Sequence, residues 1–424
     1  RSAVIIHGCC PDGRYTIRHA ADGTQLLSHP PPNADHVTRR LFGTLCGLVF
    51  CANFGRVAFA PLLETFRLTF EVGTAGLGLV TTLVWVGTAV PRIPVGYLVT
   101  RVRRGHIVLG AGALLTAASA LTATATSIPA LQVGAFALGV ASGAYYASAV
   151  PLIGDLYPDA VGRAVGIHGT AAQTAAVVAP TLTVALVAAV SWRAVFWLLA
   201  VLGAILTLGL VAVARRREGG VPQGADRDFR AALAHWRIIL AAVVMIGGAG
   251  FVWQGVFNFY VTYLVASKGL TAARAGTLLT VAFAAGLPAF WLGGRLADRL
   301  PHVPYILTLG AGVAVGVAAL TVAESLVAVA AVSVALGLAA HSLFPALDAY
   351  VLEAIPDNRG SAYAVYGGLA LLVQATGSGV VGVLGERFAF DTIFLAFAVA
   401  LLGLVSLLAT LYLAGGFPAT DGGQ

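Results

Sequence analysis

Charge is scarce in this chain of 424 residues: 10% are Asp, Glu, Lys or Arg, against about a quarter in soluble globular proteins. The single lysine is Lys268, and no G-x-x-x-x-G-K-[ST] stretch is present to cradle a nucleotide, which argues against ATP hydrolysis by this polypeptide. No H-E-x-x-H motif or zinc-type cluster occurs. The four cysteines, Cys9, Cys10, Cys46 and Cys51, follow no metal or disulfide spacing. No nucleophile-base pair is visible either, so neither an enzyme nor a bound cofactor is expected. The segment up to Thr38 lacks the apolar core of a signal peptide, and "HPPPN" (29–33) reads as an extended linker.

What the chain has is grease. Hydrophobic residues make up 58% of it, and the mean hydropathy is +0.89. Apolar runs recur from Leu41 to Gly415, each long enough to cross a hydrocarbon layer of about 30 Å as a helix of about 18 residues or more. Cut at charged or turn-rich breaks, they give twelve candidate spans: 41–63, 73–99, 106–127, 130–153, 163–189, 192–214, 238–264, 271–293, 303–323, 327–352, 361–385 and 391–414. The long polar break at 215–237 divides them into bundles of six, 39–214 and 238–414. Residues 1–38 and 415–424 are tails, the first expected to be disordered.

Basic residues alternate between the two sets of loops. If the N-terminus is inside, the outer loops hold only Arg67, Arg193, Lys268, Arg274 and Arg387, and the remaining arginines outside the apolar runs fall on the inner side. Cationic loops stay cytoplasmic, so both termini are expected in the cytoplasm of a cell-membrane protein. The formal charge of +7 follows from this asymmetry. Nucleic-acid binding does not, because the basic residues gather on no single face.

"VGYLVTRVRR" (95–104) is a worn copy of "GGRLADRLPH" (293–302). Aligning Gly96 with Gly294 sets an offset of 198 residues, and the same offset pairs Leu98 with Leu296, Arg101 with Arg299, Gly139 with Gly337, Pro158-Asp159 with Pro356-Asp357, and Phe196 with Phe394. The two halves are same-sense repeats. Six spans plus six, with substrate near the midplane between them, is the plan of one large class of secondary transporters.

These residues resemble the major facilitator superfamily over about 39–414. Its loop signature between the second and third helices, roughly G-x-L-x-D-R-x-G-R-R, is matched at Gly294, Leu296, Asp298 and Arg299, and at Gly96, Leu98, Arg101 and Arg104; Thr100 stands where the acid belongs. "SWRAVFW" (191–197) resembles the family's start of helix six. The resemblance implies an all-α membrane protein of twelve helices in two pseudo-symmetric bundles, working by alternating access as a monomer. It also implies that Asp298 meets the start of span 5 near Gly162, Arg163 and Ala164 to close the inner gate in the outward-open state, while Thr100 offers only a hydroxyl to span 11. An unequal gate is expected. The helix-four arginine is missing and the antiporter glycine-proline survives only as Ala179-Pro180, which weakens a reading as a drug exporter.

Ionisable residues at bilayer depth are functional candidates by default. Arg56, with Asn53 one turn before it, lies inside span 1, and the repeat aligns it with Gln254, one turn before Asn258. Spans 1, 4, 7 and 10 line the central cavity in the family. A small anion is therefore expected on Arg56, whose guanidinium holds charge and grips an oxyanion in bidentate fashion, with Gln254 and Asn258 at its other end. The alternative is a structural Arg56 paired with Asp348 or with a backbone carbonyl. In span 10, His341 and Asp348 share one stripe and are candidates for coupling to a proton; Tyr366 and Gln374 share a face of span 11. Arg92 in "RIPVGYL" is expected to snorkel inward. Its stretch also resembles helix two of nitrate/nitrite porters, although Phe290 occupies its repeat position. A non-transporting receptor of the same fold stays open.

Overall fold

The structure, a computed structural model, describes residues 5–9, 14–18, 24–28, 34–99, 101–214, 233–355 and 359–415. Ahead of the membrane region, Ile5–Cys9, Arg14–Arg18 and Thr24–Ser28 form three antiparallel strands in chain order, where the sequence reading expects a disordered tail. Everything described after them is helical.

Among the described residues the helices long and apolar enough to cross a membrane number eleven, or twelve with one bent pair counted as a single span. That pair is span 1, Ala34–Val57 and Phe59–Phe70, bent by 45°. Pro61 has no N–H to offer the Val57 carbonyl one turn back, which frees the backbone to bend there. The span runs past residue 63, where a charged break is expected, because Glu64 and Arg67 face each other one turn apart and pair at 2.7 Å. Arg67 thus belongs to the end of a helix and not to a loop. Span 2 is Thr74–Leu98, broken at Val90-Pro91 so that Arg92 opens its last segment, Arg92–Leu98. Spans 3 to 12 are Arg104–Ala123, Ile128–Leu156, Val161–Ala189, Trp192–Ala214, Trp236–Lys268, Ala272–Ala297, His302–Val322, Leu326–Ala354, Arg359–Leu384 and Phe390–Leu413.

The repeat read from the sequence reappears atom by atom. Ser127 caps span 4 by accepting from the Ala130 N–H, and Ser325 caps span 10 by accepting from that of Ala328. A Cβ added to Gly139 would lie 2.1 Å from the Val84 carbonyl oxygen; one added to Gly337 would lie 2.1 Å from that of Ala282. Each pair stands at the same sequence offset as Gly96 and Gly294. Spans 2 and 4 therefore cross as spans 8 and 10 do, with glycine admitting backbone against backbone.

Between the bundles, span 2 packs on span 11 and span 5 on span 8. The tightest contacts lie at the end of the molecule away from the chain termini. There Thr74 Oγ1 donates to the Gly382 carbonyl at 2.7 Å, Thr82 and Ser378 hydroxyls meet at 3.3 Å, and Thr181 meets Thr280 at 2.7 Å. At the termini end, Gly162, Gly166 and Gly169 of span 5 face open space. The start of span 5 is thus exposed, whereas the far end is held closed.

Candidate functional site

Arg56 sits in the last turn before the bend of span 1, midway along it, and is 8% exposed. Its Nη2 donates to Asn53 Oδ1, and Asn53 Nδ2 in turn donates to the Ala172 carbonyl of span 5 at 2.6 Å. The guanidinium carbon lies 4.9 Å from the ring centre of Trp85 and 4.8 Å from that of Tyr146, so two aromatic faces from spans 2 and 4 enclose the charge. The expected pairing with Asn53 is present. None of the described ion pairs joins the alternative partner Asp348 to Arg56; Asp348 is half-buried toward the termini end of span 10. Arg56 Nε is buried without a partner.

Arg92 is half-buried, its charge acts on both Arg56 and Tyr146, and its Nη1 lies 2.8 Å from where a Cβ on Gly367 of span 11 would be.

The second bundle faces this cluster with neutral groups. Gln254 and Asn258, both buried, bond each other: Asn258 Nδ2 donates to the Gln254 carbonyl at 2.8 Å and to its Oε1 at 3.1 Å, leaving Asn258 Oδ1 buried and unpartnered. Phe257 between them meets Trp85 edge-on at 6.0 Å, which links span 7 to span 2. His341 donates from Nδ1 to the Gly337 carbonyl at 2.8 Å, and Trp253, Phe283, Phe290 and Phe344 surround its ring at 5.5 to 6.5 Å. It rests on Gly286, which also admits Gln173 of span 5, whose Nε2 donates to the Phe283 carbonyl at 2.9 Å. Gln374 packs on Gly250, and Tyr366 is buried nearby in the chain on the same span.

Trp85, Tyr146 and Gln173 are absent from the sequence-based candidates. The repeat carried a signal for two of them, since the offset that aligns Gly96 with Gly294 aligns Trp85 with Phe283 and Tyr146 with Phe344, aromatic on aromatic.

Gly96 is buried, Arg101 stacks on Tyr97 at 4.3 Å, and Arg104 bonds Asp155 at 2.6 Å. Gly294 approaches Pro345 of span 10. Asp298 and Arg299 are exposed, and the Asp298 carboxylate has no partner among the described residues. Its expected neighbour, the start of span 5, is likewise exposed. Thr100 lies outside the described residues.

Comparison with known proteins follows the same lines. The sequence model of the Major Facilitator Superfamily matches residues 45–327. A probable sulfoacetate transporter, SauU of Cupriavidus necator, is 25% identical over 364 residues, covering 81% of this chain and 84% of the relative. The crystal structure of a D-xylose-proton symporter superposes with a TM-score of 0.73 at 16% identity, covering 91% of this chain and 99% of that one. An inward-facing, unoccupied bacterial homologue of the human lysosomal transporter Spinster gives 0.66 at 17%, covering 92% and 97%. At these identities the two structures speak for the fold.

Proposed function

The chain belongs to the Major Facilitator Superfamily, a multi-pass membrane transporter, and on that footing we propose that it carries a small organic anion across the cell membrane, gripping it with Arg56. The observation that carries this reading is the state of Arg56: a guanidinium 8% exposed, with a buried unpartnered Nε and no acid paired with it among the described residues. An uncompensated buried charge costs several kcal/mol, roughly, per ion. Asn53, Trp85 and Tyr146 orient and cover the group without neutralising it. A bound carboxylate or sulfonate supplies the missing charge through a two-pronged contact. The relative named for sulfoacetate supports the same chemistry, as sulfoacetate bears both groups.

The arginine-rich loops put both termini in the cytoplasm, which makes the end with the exposed start of span 5 the inner one. Substrate then reaches Arg56 from inside in this conformation, and closure of the outer end by spans 2 and 11 keeps it from passing through. His341, with Nδ1 committed to Gly337, has Nε2 to take up a proton; Asp348 two turns along gives that proton a second station toward the inner side. These two couple anion movement to proton movement. Gln254, Asn258, Tyr366 and Gln374 provide neutral contacts from the other bundle.

Thermal unfolding of the purified protein with carboxylates, sulfonates, sugars and organic cations tests the reading. Anions are expected to raise Tm, and Arg56→Lys, which keeps charge but loses the fork, to weaken that effect at least about tenfold in concentration. Stabilisation by sugars or cations alone, or an Arg56→Lys protein that responds as the wild type does, would overturn it.

A further inference from the structure

We infer that Arg92 is a second anion grip and that the carried solute is a dianion, one oxyanion group held by Arg56 and the other by Arg92. This rests on the reading of Arg56 above and adds the substrate's charge and its two-headed shape.

The described ion pairs are Arg67 with Glu64, Arg104 with Asp155, Lys268 with Asp391 and His302 with Glu353. None involves Arg56 or Arg92. The two guanidinium groups flank one stretch of span 4: Arg56 lies over the Tyr146 ring, and Pro91, just before Arg92, packs on Gly143 one turn ahead of Tyr146, so that the charge of Arg92 is felt at Arg56. Like charges in a poorly solvated space repel. A monoanion on Arg56 leaves one of them uncompensated; a solute with two oxyanion heads neutralises both.

The position of Arg92 is built. Pro91 and Pro94 have no N–H with which to bond one turn back, and span 2 breaks just before Arg92, which aims the side chain away from the line of the upper span. The guanidinium then enters the notch left by Gly367 on span 11. Gly169, the repeat counterpart of Gly367, faces open space instead, and the repeat counterpart of Arg92 is Phe290, which packs on His341 and Phe344. Both cations therefore come from the first bundle, while one of them is seated against the second. A solute bridging Arg56 and Arg92 touches the contact between bundles as well as the cavity wall, which gives its second head a part in moving them.

Binding of matched pairs to the purified full chain decides the matter: sulfoacetate against methanesulfonate, and succinate against propionate, with sulfate as a compact dianion. The wild type is expected to bind each two-headed dianion at least about tenfold tighter than its monoanion and tighter than sulfate, the size of one charge-assisted contact. Arg92→Gln should bring that ratio close to one, chiefly through the dianion. Gly367→Ala keeps both charges and displaces only the guanidinium, so it should reduce the ratio in a protein that folds as the wild type does. A wild type that binds mono- and dianions alike, or sulfate as well as sulfoacetate, overturns the inference while leaving Arg56 as an anion grip. So does an unchanged ratio in both variants. Failure of the wild type to bind any anion would remove the Arg56 reading first.

Discussion

Arg104 reaches from the start of span 3 to Asp155 at the end of span 4, at 2.6 Å, and also donates to the Pro151 carbonyl at 3.1 Å. In the second half His302 holds Glu353 at 2.8 Å between spans 9 and 10, at the same sequence offset. The repeat has kept a cross-brace at each bundle's termini end while exchanging arginine for histidine. The two braces differ in worth because their environments differ. The side chain of Asp155 is 43% exposed and that of Glu353 62%, each beside a partner side chain 16% exposed.

Asp155→Asn is expected to destabilise the protein by about 1–3 kcal/mol, because Arg104 is mostly buried and loses its charged partner. Glu353→Gln should cost less, about 0–1 kcal/mol, since its carboxylate is largely solvated. Thermal unfolding in detergent compares the two directly, and a larger loss for Glu353→Gln would contradict the assignment of Arg104 as the stronger brace.

The closure of spans 2 and 11 at the end away from the chain termini depends on the absence of side chains. A Cβ on Gly382 would lie 2.5 Å from the Thr74 carbonyl oxygen and 2.9 Å from the Gly78 Cα, both backbone atoms that no rotamer change can move aside. Glu386 adds a carboxylate oxygen to the Ala75 N–H at 3.3 Å, at the start of span 2. Gly382→Val should therefore force the bundles apart at this end and favour the state open there. A cysteine placed at Gly162 on the termini side, in a chain whose native cysteines are serine, should lose alkylation rate in that background. Gly110→Val, whose added carbon meets nothing within 4 Å, should leave the rate alone.

Sequence and structure agree where a single force decides. Apolar length set the twelve spans, and for eleven of them the ends fall within a few residues of the charged breaks. Span 1 was misjudged because Glu64 and Arg67 read as a break singly and behave as a neutral pair on one helical face. The site was legible through burial of charge: Arg56 and Asn53 announced themselves as polar groups in an apolar run, and the structure joins them. Trp85, Tyr146 and Gln173 did not, since an aromatic or amide side chain in a membrane helix is ordinary until the fold shows what it faces. For Arg92, periodicity gives depth along a helix, whereas the break at Val90-Pro91 and the notch at Gly367 decide direction.

The meeting of Gln173, Gly286 and His341 makes the last prediction. A Cβ on Gly286 would lie 2.6 Å from Gln173 Nε2 and 2.8 Å from His341 Cδ2, so Gly286→Ala must push one or both. His341 has little room to yield, because Trp253, Phe283, Phe290 and Phe344 enclose it and Nδ1 is tied to Gly337. Gln173 can yield only by loosening its bond to the Phe283 carbonyl across the bundle interface. Overpacking of this kind costs about 1–3 kcal/mol, and its effect on transport should exceed its effect on stability, since the contact joins the half that moves to the half that carries His341. Gln173→Ala removes the obstructing amide. In proteoliposomes Gly286→Ala should transport slowly, Gln173→Ala moderately, and the double variant faster than Gly286→Ala alone, a favourable coupling of about 0.5–3 kcal/mol in the double-mutant cycle. Strict additivity of the two substitutions would mean that Gln173 and His341 do not compete for the space over Gly286.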